Sequence, residues 1–135
     1  MSVETKNRYI EAVGRRKTAI ARVRITPGTK ASFTVNDKDV KEYFVTEDLQ
    51  MIAQEAISKS EIAEKFTVTV HVLGGGIHAQ AEAVRHGLSR TLVERDEQVK
   101  NTLKKLGFLK RDSRQVERKK FGLKKARKAP TWSKR

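Results

Sequence analysis

The sequence predicts an α+β two-layer sandwich: a sheet of about four strands with helices on one face, continued by an extended basic C-terminal tail. Three observations carry this reading. Apolar residues alternate with period two near the start and again over 66–73. Stripes with helical spacing occupy 49–57 and 77–92. Charge is crowded at one end. The chain of 135 residues has 30 Lys/Arg against 16 Asp/Glu, a net charge of +14. From Lys110 to Arg135 there are twelve basic residues and two acids, Asp112 and Glu117, a net +10. Residues 1–109 therefore read as a globular body and 110–135 as a basic tail. The tail has too few apolar residues to bury a core of its own.

Each element has a local reason. Residues 8–13 read as a first strand, interrupted by the cationic connection Gly14-Arg15-Arg16-Lys17. In 18–26, Ala19, Ala21, Val23 and Ile25 face one way and Thr18, Ile20, Arg22 and Arg24 the other. Pro27-Gly28 is a turn pair. Ala31, Phe33 and Val35 alternate in a third run, and an antiparallel meander is expected. Asn36-Asp37 offers a cap before Val40, Tyr43 and Phe44. Thr46-Glu47-Asp48 signals the start of a helix whose stripe is Leu49, Ile52, Ala53, Ala56 and Ile57. Phe66, Val68, Val70 and Val72 mark the inner face of a fourth strand. Gly74-Gly75-Gly76 ends it. Ile77, Ala81, Val84, Leu88 and Leu92 line a long helix. Asp96 can cap a last helix carrying Val99, Leu103 and Leu106, with Gly107 ending it.

Several chemistries are disfavoured. Cysteine is absent, which removes disulfides, thiolate catalysis and Cys-based zinc sites. No apolar run approaches the roughly 18 residues of a membrane span, and the opening residues carry none, so neither membrane insertion nor a signal peptide is expected. Gly74-x-Gly76-x-x-Ala79 loosely fits a dinucleotide fingerprint, with Glu94 about 20 residues on. That acid lies at the end of a helical stripe rather than on a second parallel strand, so no cofactor is expected. No Lys-Ser/Thr follows the glycines, which excludes a Walker A loop. His78 and His86 lie about 12 Å apart along one helix and on different faces, so no metal site is expected. No catalytic constellation stands out, and neither an enzyme nor a small-molecule substrate is indicated.

Nucleic acid is the partner the charge calls for. Arg15, Arg16 and Lys17 place three cations in one connection, and Arg22 shares their surface. Bare amides at Gly74, Gly75 and Gly76, opening a helix, suit a phosphate. His86 and Arg90 lie roughly opposite the apolar stripe of their helix, with Arg85 at its flank. In the tail, Arg111, Arg114, Arg118, Lys119, Lys120, Lys124, Lys125, Arg127 and Lys128 alternate with isolated apolar residues. Arginine offers bidentate phosphate contacts and lysine a point charge.

These motifs also carry a resemblance. Gly14-Arg15-Arg16-Lys17-Thr18, then Ala21-Arg22-Val23, resembles the N-terminal signature of small-subunit ribosomal protein nine of bacterial type. Gly74-Gly75-Gly76-Ile77, Gln80-Ala81 and Arg85-His86-Gly87 are similar to that family's glycine loop and helix, and the run from Gly107 to Arg135 to its tail. The likeness extends in order from about Tyr9 to Arg135. Three places depart from the usual pattern. His78-Ala79 stands where Ser-Gly is common, Glu82 where Gly is common, and Thr131-Trp132 replaces Gln with Tyr or Phe.

The resemblance implies a body like the second domain of ribosomal protein five. It implies binding to 16S rRNA in the head of the small subunit, among neighbouring head proteins, in the cytoplasm. It also implies that Ser133, Lys134 and Arg135 reach the peptidyl-site tRNA. Two other readings stay open on the residues alone: a free-standing basic nucleic-acid binder or RNA chaperone, and a small nucleotide-dependent enzyme built on the glycine loop. Co-sedimentation with the small subunit separates the first from the ribosomal reading, and nucleotide binding to the purified protein tests the second.

Overall fold

A computed structural model describes residues 9–134. The sheet is built from β1 (Ile10–Arg16), β2 (Ala19–Pro27), β3 (Ser32–Val35), β4 (Lys38–Asp39) and β5 (Phe66–Leu73). Its order is β1-β2-β5-β3-β4. The helices are α1 (Val40–Tyr43), α2 (Glu47–Ser60), α3 (Ile77–Arg95) and α4 (Lys100–Lys105), with a short 3-10 turn at Glu97–Val99. No helix among the described residues is long and apolar enough to cross a membrane.

The two-layer α+β expectation holds, but the sheet differs from it in three ways. First, there are five strands rather than four. The extra one is Lys38–Asp39, and Asn36-Asp37 is the turn leading into it rather than a helix cap. Both turn residues have positive φ (50° and 66°), as the two-residue hairpin requires. Asn36 also pairs with the Val72 backbone, donating to its carbonyl at 3.1 Å and accepting from its amide at 2.9 Å. The cap of α1 is Asp39, which accepts from the Lys41 amide.

Second, the first three strands are not a meander. β5 lies between β2 and β3, antiparallel to the former and parallel to the latter. A strand buried on one face and paired at both edges favours the β-branched run Val68, Val70, Val72. Ala31, expected in the third strand, lies outside it and is exposed. Third, β1 does not stop before Gly14. It runs through Arg16, and a two-residue turn of Lys17 and Thr18 joins it to β2, with Lys17 at φ 53°.

The inner sheet face is as the alternation predicts. Ala19, Ala21, Val23, Ile25, Val68, Val70 and Val72 are buried against the helices. So are Leu49, Ala53 and Ala56 of α2, and Ala81, Val84, Leu88 and Leu92 of α3. Ile77 and Leu106 depart from their predicted stripes and are exposed. Ile77 sits in the first turn of α3, beyond the cover of the sheet. Leu106 follows the last turn of α4, where Gly107 (φ 80°) closes the helix and Phe108 folds back, its amide donating to the Leu103 carbonyl at 3.1 Å. Phe108, rather than Leu106, enters the core.

The α3 helix lies unusually close to β1. A methyl group on Gly14 would collide with the Ala83 carbonyl and the Gly87 backbone nitrogen. A methyl on Gly87 would sit 2.8 Å from Val23 Cγ2 and 2.9 Å from the Gly14 nitrogen. The two glycines let backbone meet backbone, and no side-chain rotation relieves a substitution at either. Gly14→Ala and Gly87→Ala should therefore each cost about 3 kcal/mol or more, the upper end for overpacking. Urea unfolding checks this, with Gly76→Ala as the comparison because the space beside Gly76 is open. A cost at Gly14 or Gly87 no larger than at Gly76 would refute the contact.

Candidate nucleic-acid interface

The predicted site residues fall into four groups. The first is a cleft of about 180 Å³ where the C-terminal segment leaves the body. Arg15, Arg16, Arg85, Lys110 and Arg114 line it, with Glu82, His86 and Asp112 among them. Arg16 is held within the chain. Its side chain is 14% exposed, pairs with Glu82 at 2.6 Å, lies 3.6 Å from Asp112 and donates to the Arg114 carbonyl at 2.7 Å. Arg16 therefore ties the departing segment to β1 and α3. Arg85 pairs with Glu55 at 3.0 Å and stacks over Phe108, 4.7 Å from the ring centre. Arg15 is exposed and makes no ion pair among the described residues. Lys110 was not singled out from the sequence, because a lone lysine ahead of a long basic run carries no separate signal.

Asp112 organises this joint. It accepts from the Arg114 side chain at 2.9 Å and from the Arg114 amide at 3.0 Å. These hydrogen bonds hold its carboxyl well below the usual carboxylate range. The pairing fixes the direction in which the chain leaves the body, and residues 110–114 lie against β1 and α3 rather than free of them.

The second group guards the free edge of β1. The Arg15 amide donates to His86 Nδ1 at 3.2 Å, and Arg90 donates to the Val13 carbonyl at 2.6 Å. An unpaired strand edge invites foreign pairing, and two side chains one helical turn apart close this one. His86 and Arg90 with Arg111 also line a second cleft of about 320 Å³. His86 is half-buried rather than on the open face the helix pattern suggested. Burial pushes its pKa below the ordinary histidine value, and Arg90 and Arg111 act the same way against a hydrogen bond to the Leu109 backbone. Because Nδ1 accepts, Nε2 carries the proton of the neutral ring.

The third group surrounds the glycine loop. Gly74 and Gly75 have φ of 77° and 63°. Added methyls there would meet the Thr18 carbonyl at 2.6 Å and the Ala19 nitrogen at 3.0 Å. The loop is therefore packed against Thr18 and Ala19 at the β1–β2 turn, and α3 begins at Gly76 without a side-chain cap. Arg22 stands apart from all of these, on the open sheet face opposite His71, paired with Glu11 at 3.0 Å.

The fourth group is the C-terminal segment. Residues 111–134 form no helix or strand, and most are exposed. Turns occupy 121–127, where Glu117 accepts from Lys120 and, at 2.8 Å, from Arg127. The Lys124 amide donates to the Lys128 carbonyl at 2.8 Å. Arg118, Lys119 and Lys125 stay on the surface, and Phe121 is 99% exposed. Ser133 and Lys134 are exposed at the end; Arg135 lies outside the described residues.

No group of acids and histidines suited to a metal occurs among the described residues. The two clefts are rimmed by cations, an arrangement suited to anions.

The His86 contacts predict a pH dependence. A depressed folded-state pKa means that the unfolded chain takes up the proton first as pH falls. Stability should then be full above the ordinary histidine value of about 6.5 and decline below it, until the folded ring is protonated. The slope cannot exceed about 1.4 kcal/mol per pH unit. Urea midpoints from pH 7.5 to 5 should fall for the natural chain and be flatter for His86→Gln; parallel curves would remove His86 as the cause.

The order of these groups along the chain matches one known family throughout. Residues 14–135 fit the family model described as ribosomal protein S9/S16. The chain belongs to that family of small-subunit ribosomal proteins, which are structural constituents of the ribosome rather than enzymes.

Proposed function

We propose that the chain binds 16S rRNA in the head of the small subunit and reaches the peptidyl-site tRNA with its last residues, acting in the cytoplasm as part of the ribosome. One observation carries this. The C-terminal segment holds most of the excess positive charge on exposed chain, while its first residues are fixed to the body by Arg16 and Asp112. That is the form of a phosphate-binding strap with a fixed point of departure.

Residues 1–109 act as the body and 110–135 as the strap. The resemblance supports a body of the kind found in the second domain of ribosomal protein five. Arg15, Lys17 and Arg90 of the body, with Lys110 at the start of the strap, are the cations offered around the joint. Arg111, Arg114, Arg118, Lys119, Lys120, Lys124, Lys125, Arg127 and Lys128 track the rRNA backbone beyond it. Gly74, Gly75 and Gly76 open the N-terminus of α3 to a phosphate, and Arg22 adds a cation on the sheet face. Ser133, Lys134 and Arg135 contact tRNA phosphates, because a single chain end enters a gap that a folded loop cannot.

Two measurements test the reading. Affinity for 16S rRNA should fall steeply with salt, by about three to five decades between roughly 50 and 200 mM if six to ten phosphates are neutralised, and less on irregular RNA. Truncation after Arg114 should flatten that slope markedly while leaving the body folded; an unchanged slope would transfer the electrostatic site to Arg15 and Lys17. Deleting Ser133 to Arg135 should leave subunit assembly nearly intact. It should weaken tRNA retention at the peptidyl site by on the order of 1–3 kcal/mol, independent of codon, since phosphate contacts position rather than specify. Equal tRNA dissociation rates from full and truncated subunits, or a defect confined to certain codons, would rule out the contact.

A further inference from the structure

We propose that the side of the body formed by β4, α1 and α2 is a protein-docking surface. It takes a lysine- and arginine-rich segment of a neighbouring protein into the groove between β3 and the C-terminal half of α2. The proposal rests on the ribosomal reading above and adds the surface and the chemistry of one partner.

Charge is the first argument. Residues 37–64 hold eight acids and three lysines, a net −5 in a chain of +14. Glu55 and Glu64 are answered by Arg85 and Arg95 of α3, at 3.0 and 3.2 Å. Lys65 on the groove rim offsets a third, and two negative charges remain uncompensated on this side. Asp37, Glu42, Glu47, Asp48 and Glu61 make no ion pair among the described residues, and all are exposed. The segment is contiguous in space, since α1 packs on β3, β4 and α2. A surface of this sign repels an RNA backbone while the joint and the C-terminal segment attract it. The body therefore turns its cationic side to RNA and presents its acidic side to something else.

The shape of the acidic side is the second argument. Its groove has a volume of about 590 Å³ and an apolar bed. Val40, Phe66 and Val68 form the floor, and Phe33, Ile57 and Ile62 are half-exposed walls. An open apolar bed of this size gains from being covered. A ribose-phosphate backbone would bring charge of the wrong sign to this side. Lys41 and Lys65 stand on the rim beside Asp39 and Glu64. The attraction for a cationic segment therefore comes from the field of the whole α1–α2 side rather than from one carboxylate. The complementary occupant has basic side chains, whose stems and interspersed apolar residues fill the bed while their charged ends meet the acids. This chain itself carries a segment of that composition, in which Phe121 and Trp132 stand 99% and 83% exposed among cations.

The test uses assembled small subunits. One preparation carries the photo-crosslinking residue benzoyl-phenylalanine in place of Ser58, an exposed position on the groove wall whose hydroxyl bonds only its own helix. A second carries it in place of Lys119. Irradiation at Ser58 should join the chain to another protein, and mass spectrometry should map the adduct to a Lys/Arg-rich segment. Adding Ala63→Lys, a new cation at an exposed position on the same groove, should lower the yield by roughly tenfold. Crosslinking of Ser58 to rRNA, to an acidic protein segment or to nothing would overturn the proposal, as would a yield indifferent to Ala63→Lys. The Lys119 probe reports rRNA contact alone, so its failure would count against the function proposed above and leave the Ser58 result to be read separately.

Discussion

The fold depends on the contact between Gly14 and Gly87. A helix normally packs on a sheet through side chains, but here two residues without side chains bring the α3 backbone against β1. The closeness has consequences on both sides of it. His86, one residue before Gly87, reaches the Arg15 amide, and Arg90, three residues after it, reaches the Val13 carbonyl. Glu82, one turn and a residue earlier, meets Arg16. A spacer of one side chain's thickness at Gly14 would lift all three partners off the strand. The edge of β1 would lose its cover, and the cleft at the joint would lose the pair that orients Arg16.

Carboxylates are the second constraint on a chain this basic. Like charges crowded on a small body oppose the compact state, and outside the α1–α2 side several acids stand where each relieves a specific cation. Glu82 and Asp112 share Arg16, Glu55 takes Arg85, Glu11 takes Arg22 and Arg24, and Glu117 gathers Lys120 with Arg127. Those of the pairs that are exposed contribute little stability each. Their effect is geometric: they decide which guanidinium groups are turned inward and which remain open to a phosphate. Arg16 and Arg15 are adjacent in sequence and differ in this respect, because successive residues of a strand point to opposite faces.

Much of this was legible in the sequence, for identifiable reasons. Alternation located β2 and β5, and helical spacing located α2 and α3, since one face of each is buried. Positive φ at Gly74, Gly75 and Gly107 agreed with the glycine readings. The order of strands was not legible. Alternation in β3 says that one face is buried but not which neighbour it pairs with, and the parallel pairing to β5 requires the intervening helices to be placed first. Gly14 was misleading for a physical reason. Glycine beside three cations reads as a turn, yet its lack of a side chain serves a helix 73 residues away in the chain. At the interface, net charge identified the C-terminal segment. It could not separate Arg16 from Arg15, because the difference lies in Glu82 and Asp112, which come together only in the fold.

In the proposed function, the division between body and C-terminal segment also divides the work of binding. Cations around the joint are held by a packed scaffold, so a phosphate placed there meets groups that have already given up their freedom. Residues beyond 114 have no helix or strand to hold them, and confining them on a polyanion would cost up to roughly 1–2 kcal/mol each in backbone entropy. Under the proposed function, release of counterions from the RNA would offset that cost. The fixed joint reduces it in one respect: Arg16 and Asp112 remove the freedom of the first residues, so the strap starts from one place in one direction. A short cationic cluster could bind at once but would reach only nearby RNA. A longer segment reaches further and orders progressively from its anchored end, each bound phosphate confining the residues that follow. The same logic accounts for the composition of the segment. Exposed Phe121 and a string of lysines and arginines limit its internal contacts to turns and the Glu117 pairs, which leaves most of its cations open to a polyanion.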